Sequence, residues 1–229
     1  MAQSLGYPDV PRIPILLTCE RLEEEEMVRE KLRDHILEKR QDDIFIDERN
    51  GEILIFKGFR GAEEGFFENY KYEIGDYLGR LLRYMQDQEI EYRIYVGSLQ
   101  STMVYYRYGY QHCRWLRKNV FSSKRSVFFY DHLDEYLKSQ TPFMEFHQIF
   151  EVFGGLYTDE FKKMYIENIG ALYEHNYSLQ ESSSSIFVHK NTLIFRLDKI
   201  RRQLGLNPFQ SDKDKELLNA FYYYLKQLA

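Results

Sequence analysis

Hydrophobic and polar positions follow two periods along the first 140 residues. Short apolar or alternating runs predict strands at Pro11–Glu20, Asp43–Asp47, Glu52–Lys57, Glu91–Gly97 and Ser126–Tyr130. Between them, apolar residues recur every three or four positions. That spacing predicts helices over Leu22–Arg40, Tyr72–Gln88 (with Leu78, Leu81, Leu82 and Met85 on one face), Thr102–Asn119 and Leu133–Ser139. Asn50-Gly51, set between two β-rich runs, predicts a tight hairpin. Beyond Thr141-Pro142 no run reads as a strand. Helices are expected at Phe143–Phe153, which Gly154-Gly155 ends, then at Asp159–His175, Leu179–Ile186, His189–Leu204 and Asp212–Leu228.

Strands alternating with helices, followed by helices alone, predict an α+β chain. The economical arrangement is a ferredoxin-like α/β domain with a mixed sheet and one additional strand and helix, then an all-α domain. The expected divisions are 1–140 for the α/β domain, 141–157 for a connecting helix, and 158–229 for the helical domain.

Composition narrows the class. Of the 229 residues, 44% are hydrophobic and 29% charged, with only 5 prolines, which excludes disordered and fibrous chains. Cys19 and Cys113 are far apart and form neither a disulfide framework nor a zinc pattern, which fits a reducing, cytoplasmic setting. Ile13–Cys19 is about a third of a membrane span, and no leader-like segment opens the chain, so neither a membrane nor a secreted setting is expected.

The net charge of −5 gives no global attraction to nucleic acid, but the charge is divided unevenly. Residues 159–229 hold 10 lysines and arginines against 9 acids, while the remainder holds 21 against 27. Within Ile186–Leu206, Lys190, Arg196, Lys199, Arg201 and Arg202 face a single acid, Asp198.

That basic stretch carries the candidate site. Ser178 and Glu181 have capping-box spacing and start a short helix; a tight turn through Val188 leads to a longer one. On the second helix Leu193, Leu197, Ile200 and Leu204 lie within about 60° of one another, a stripe for the core. Asn191, Phe195, Lys199 and Arg202 point away, with Thr192 close by, and Gly205 stops the helix. A short helix, a tight turn and a longer basic helix match a helix-turn-helix, whose second helix reads the major groove. His189, Lys190, Asn191 and Thr192 can hydrogen-bond base edges; Arg196 and Lys199 suit phosphates. On periodicity alone, a solvated basic surface helix is the commoner reading.

The run Val188–Leu206, VHKNTLIFRLDKIRRQLGL, closely resembles the C-terminal helix-turn-helix of the sugar diacid regulators, a domain type shared with purine catabolism regulators. The shared pattern is His189, Lys190, Asn191-Thr192-Leu193, Phe195, Arg196-Leu197, Lys199-Ile200 and Leu204-Gly205-Leu206. Ala171–Asn176 is similar to the preceding helix and polar turn of that family. Ser182–Ser185 departs from it, because the family more often has Thr-Ala and further helix formers there. The resemblance implies a DNA-binding transcription regulator of the uptake or catabolism of a small carbon source.

It also implies a degenerate diguanylate-cyclase-like first domain. Active cyclases carry a Gly-Gly-Asp/Glu-Glu-Phe hairpin for nucleotide and metal. Here the hairpin reads Ile46-Asp47-Glu48-Arg49-Asn50-Gly51-Glu52, without the glycine pair, so cyclase activity is not expected. Glu20, Asp47 and Glu48, or the run Glu23–Glu26, could hold a cation, but solvated acids are the preferred reading, and no metal or cofactor is expected. Family members usually carry an N-terminal sensor for a small-molecule effector, which this chain is expected to lack, as a fragment or as a short paralogue. The expected partner is double-stranded DNA, bound by a homodimer.

Catalytic patterns are lacking. No P-loop, dinucleotide-binding fingerprint, Gly-x-Ser-x-Gly or His-Glu-x-x-His is present, and His112 and Cys113 lie about 100° apart on one helix. The expectation is a non-enzyme. The alternative is a catalytically inactive ligand- or protein-binding module of cyclase-like fold.

Overall fold

The first apolar run becomes the central strand of a five-stranded sheet. The structure, a computed structural model, describes residues 8, 10–34, 36–37, 42–48, 52–59 and 65–229. The chain forms two units, Met1–Tyr136 and Leu137–Ala229.

In the first unit the strands are β1 (Arg12–Cys19), β2 (Ile44–Glu48), β3 (Glu52–Gly58), β4 (Tyr92–Val96) and β5 (Ser126–Phe128). Their order is β2-β3-β1-β4-β5; β4–β5 is the parallel pairing and the others are antiparallel. The sheet is therefore mixed. The β2–β3 hairpin closes at Glu48 opposite Glu52, and the predicted Asn50-Gly51 turn lies outside the described residues.

β1 reads as a continuous apolar run because both its faces are covered. Ile13, Ile15 and Leu17 join Val28 and Leu32 of α1 (Leu22–Arg33) and Ile74, Leu78, Leu81 and Met85 of α2 (Phe66–Asp87). Leu16 joins Tyr106, Cys113 and Leu116 of α3 (Tyr106–Asn119) in a second core. The helix α4 (Leu133–Gln140) follows β5 after a 3₁₀ turn over Phe129–His132.

Several boundaries differ from the sequence reading. α1 stops at Arg33 rather than Arg40, because the chain turns at Asp34 and buries Leu37 in the core. α2 begins six residues early, at Phe66, because Phe66 and Tyr70 continue its apolar face and stack 5.1 Å apart. The Glu23–Glu26 run is not uniformly solvated. Glu23 and Glu26 are exposed, but Glu24 and Glu25 are buried. Arg21 Nε donates to Glu24 at 2.8 Å and Arg29 Nε to Glu25 at 2.7 Å. The guanidinium of Arg21 holds the Glu24 carboxyl below its usual pKa. Among the described residues, no His, Cys, Asp or Glu cluster has the form of a metal site.

α3 crosses the sheet closely. A Cβ on Gly97 would lie 2.3 Å from the Gly109 carbonyl oxygen, and one on Gly109 would lie 2.7 Å from Pro14 Cγ. Only glycine at these two positions permits that approach.

The second unit contains α5 (Phe143–Leu156), α6 (Asp159–Glu174), α7 (Leu179–Ser185), α8 (Lys190–Leu204) and α9 (Asp212–Leu228). Phe146 and Phe150 of α5 share a core with Phe161, Tyr165, Ile169 and Leu172 of α6, Ile200 of α8, and Leu218, Phe221 and Leu225 of α9. Residues 143–156 are thus built into the helical unit's core. Thr158 caps α6 and Ser211 caps α9, each side-chain oxygen accepting from the backbone N–H three residues on. Among the described residues, no helix is long and apolar enough to cross a membrane.

Candidate nucleic-acid interface

The interface is built from α6 outward. Ser178 Oγ accepts from the Glu181 backbone N–H at 3.4 Å and starts α7. Serine is a poor interior helix residue because its hydroxyl competes for backbone groups. Here each serine hydroxyl of α7 has a backbone acceptor. Ser183 and Ser184 donate to the Gln180 carbonyl at 3.0 and 2.9 Å, and Ser185 donates to the Ser182 carbonyl at 2.9 Å. Ser182 donates across to Ala171 of α6 at 3.1 Å. Ser182 and Ser183 are buried, and their small side chains let α7 pack closely on α6.

α7 ends at Ser185 with Ile186 as its C-cap, one residue short of the sequence reading. The Phe187 N–H donates to the Ser184 carbonyl at 3.2 Å and the Val188 N–H to the Ser183 carbonyl at 3.0 Å. This pair of bonds is the Schellman motif, which requires a left-handed residue after the cap. Phe187 supplies it, with φ of 55°. His189 then caps α8, its Nδ1 accepting from the Asn191 backbone N–H at 3.2 Å. Gly205 ends α8 in the left-handed region, with φ of 73°.

The two faces of α8 separate as the helical wheel predicts. Leu193 and Ile200 are buried, and Leu197 and Leu204 are partly buried against the same core. His189, Lys190, Asn191, Thr192, Phe195, Lys199 and Arg202 are exposed, Phe195 by 67%. The structure therefore brings six of the seven candidate site residues to open surface on one helix and its cap.

Arg196 is different. It is half-buried and donates to Glu167 of α6 at 2.7 Å. Arg201 pairs with Asp198 at 3.0 Å. Among the described residues, Lys190, Lys199 and Arg202 are in no ion pair, so the free positive charge of α8 is carried by these three.

Sequence reasoning passed over Phe187. In sequence it lies in the apolar run Ile186-Phe187-Val188 and reads as the end of the short helix, before the turn at Val188. Its signal was positional: it sits where a helix-ending turn favours glycine or asparagine.

Comparison with known proteins supports this geometry. Residues 165–220 match the PucR C-terminal helix-turn-helix domain. The match runs from the middle of α6 into α9 and includes all of α7 and α8. The second unit thus contains a helix-turn-helix of the PucR type. No curated protein sequence matches the chain. Among solved structures, the chain is similar to a regulator of polyketide synthase expression from Bifidobacterium adolescentis. That likeness has 14% identity, covers 98% of this chain and 84% of the other, and has a TM-score of 0.37.

Proposed function

We propose that this chain is a DNA-binding transcription regulator and not an enzyme. The observation that carries the reading is the PucR-type helix-turn-helix, whose second helix is capped, held by its apolar stripe and open along its polar, basic face. In this reading α8 lies in the major groove. His189, Lys190, Asn191 and Thr192 meet base edges, with Asn191 suited to adenine and Lys190 to guanine. Phe195 makes apolar contact along the groove wall, and Lys199 reaches a phosphate. Arg196 takes a phosphate only by leaving Glu167, so its net contribution is smaller than that of Lys199.

A homodimer on two half-sites about one helical turn apart would double the readout. The resemblance of Val188–Leu206 to the sugar diacid regulators favours control of the uptake or catabolism of a small carbon source, in the cytoplasm. A degenerate cyclase-like role for the first unit and an effector sensed by a separate domain belong to the same resemblance.

Selection of duplexes from a random pool by the full chain tests this. The expected product is a paired motif with half-sites about 10 base pairs apart, and Asn191→Ala should relax preference at one position per half-site. A pool that stays random after repeated rounds would overturn the reading.

A further inference from the structure

We propose that Phe187, in the turn between α7 and α8, is a DNA-contacting residue that reads a thymine methyl group at the edge of the recognition-helix footprint. The inference rests on the proposed DNA-binding function and adds to it a specificity residue outside α8.

Phe187 is anomalous in two independent ways. It occupies the left-handed position of the Schellman turn, with φ of 55°, where a bulky side chain is disfavoured and glycine or asparagine is usual. It is also 96% exposed, and no ring contact or side-chain hydrogen bond holds it among the described residues. The fold therefore gains nothing from the ring and bears the cost of its backbone.

Tyr177 makes the contrast. It too has a positive φ, 62°, in the turn before α7. Its ring is half-buried, its hydroxyl donates to Asn219 of α9, and Lys215 lies 4.3 Å above its face. Packing accounts for Tyr177; nothing within the helical unit accounts for Phe187. Glu89, at the matching left-handed position after α2 with φ of 53°, is also exposed, but its side chain is a carboxylate that water solvates. What sets Phe187 apart is an apolar ring at such a position, and strain kept with an unburied ring points to a function.

The position indicates the partner. Phe187 lies two residues before His189, the cap of the helix whose N-terminal residues meet base edges. An aromatic ring there has no hydrogen bond to offer. Its complement in the major groove is the apolar C5-methyl of thymine, the feature that separates thymine from cytosine without polar contact.

The test uses the full chain and the duplex it selects from a random pool, with each thymine replaced in turn by deoxyuridine, which lacks only the methyl. At one position per half-site, uracil is expected to weaken wild-type binding about fourfold, the value of one buried methyl group. Phe187→Asn should bind the thymine and uracil duplexes equally, at or below the wild-type affinity for uracil. Its melting temperature should equal or exceed that of the wild type, because asparagine tolerates the left-handed backbone. Phe187→Leu, which keeps an apolar side chain, should retain part of the uracil effect.

Three results would overturn the inference. One is wild-type affinity in Phe187→Asn while Lys190→Ala is weakened, which leaves the DNA-binding reading standing. The second is a uniform loss in Phe187→Asn with no uracil-sensitive position. The third is a lowered melting temperature in Phe187→Asn, which assigns the ring to stability. A pool that never enriches overturns both readings together.

Discussion

At the scale of one residue, burial can fix a protonation state. His112 shows this in the first unit. Its ring stacks on Phe129 with centroids 4.0 Å apart, and its Nδ1 lies 2.7 Å from Ser98 Oγ. Burial disfavours the imidazolium and lowers its pKa from 6.5 to about 4. The sign follows. Between pH 6.5 and 4 the unfolded chain takes up a proton that the folded chain refuses, so this contribution is whole above pH 6.5 and lost as pH falls toward 4. His112→Gln should flatten the fall in urea midpoint between pH 7 and pH 4.5; an unchanged slope would show that His112 is not its source. In sequence, His112 beside Cys113 raises only the question of a catalytic pair. Their burial depends on Phe129 and Pro14, distant in sequence, so no local pattern carries it. The residues of α8 were easier to read. A helix displays its exposed face in its own periodicity, and only the Arg196–Glu167 pair needed the fold.

At the scale of elements, periodicity located each α-helix and strand among the described residues, and the errors fall at ends. α3 starts at Tyr106 rather than Thr102, the last strand gives way to a 3₁₀ turn at Phe129, and α5 runs through Gly154-Gly155 to Leu156 instead of stopping before them. α1 is short because Leu37 turns inward, and α2 is long because Phe66 and Tyr70 belong to its apolar face. Both depend on tertiary packing. The approach of α3 to β1 and β4 was illegible for the same reason: Gly97 and Gly109 are ordinary glycines in sequence, and only the crossing makes them necessary. Gly97→Ala should cost about 3 kcal/mol, because the new methyl group meets backbone that cannot yield. Gly79→Ala in α2, with no atom within 4 Å of the new Cβ, should instead stabilise by about 0.5–1 kcal/mol. Paired urea melts measure both. Equal effects would mean that the crossing is looser than described. In the second unit, the four serines of α7 weaken an isolated helix, yet Ser182 ties it to Ala171, so tertiary contact offsets low propensity.

The whole molecule combines an α/β unit carrying most of the acidic charge with a helical unit presenting one basic face. That division was legible in the charge counts alone. The remaining acidic charge should depress loose association with DNA and leave binding to the local contacts of α8. An unequal role for the cations is also expected, since among the described residues Lys190 and Lys199 are in no ion pair while Arg196 is held by Glu167. The most direct test is fluorescence anisotropy of a labelled mixed-sequence duplex titrated with the full chain across a salt series. The account predicts binding that weakens steeply with salt. Lys199→Ala should lower the log–log slope by about 1 per protomer, and Arg196→Ala should lower it by less. Salt-independent binding, or slopes that neither substitution changes, would contradict the placement of α8 on DNA.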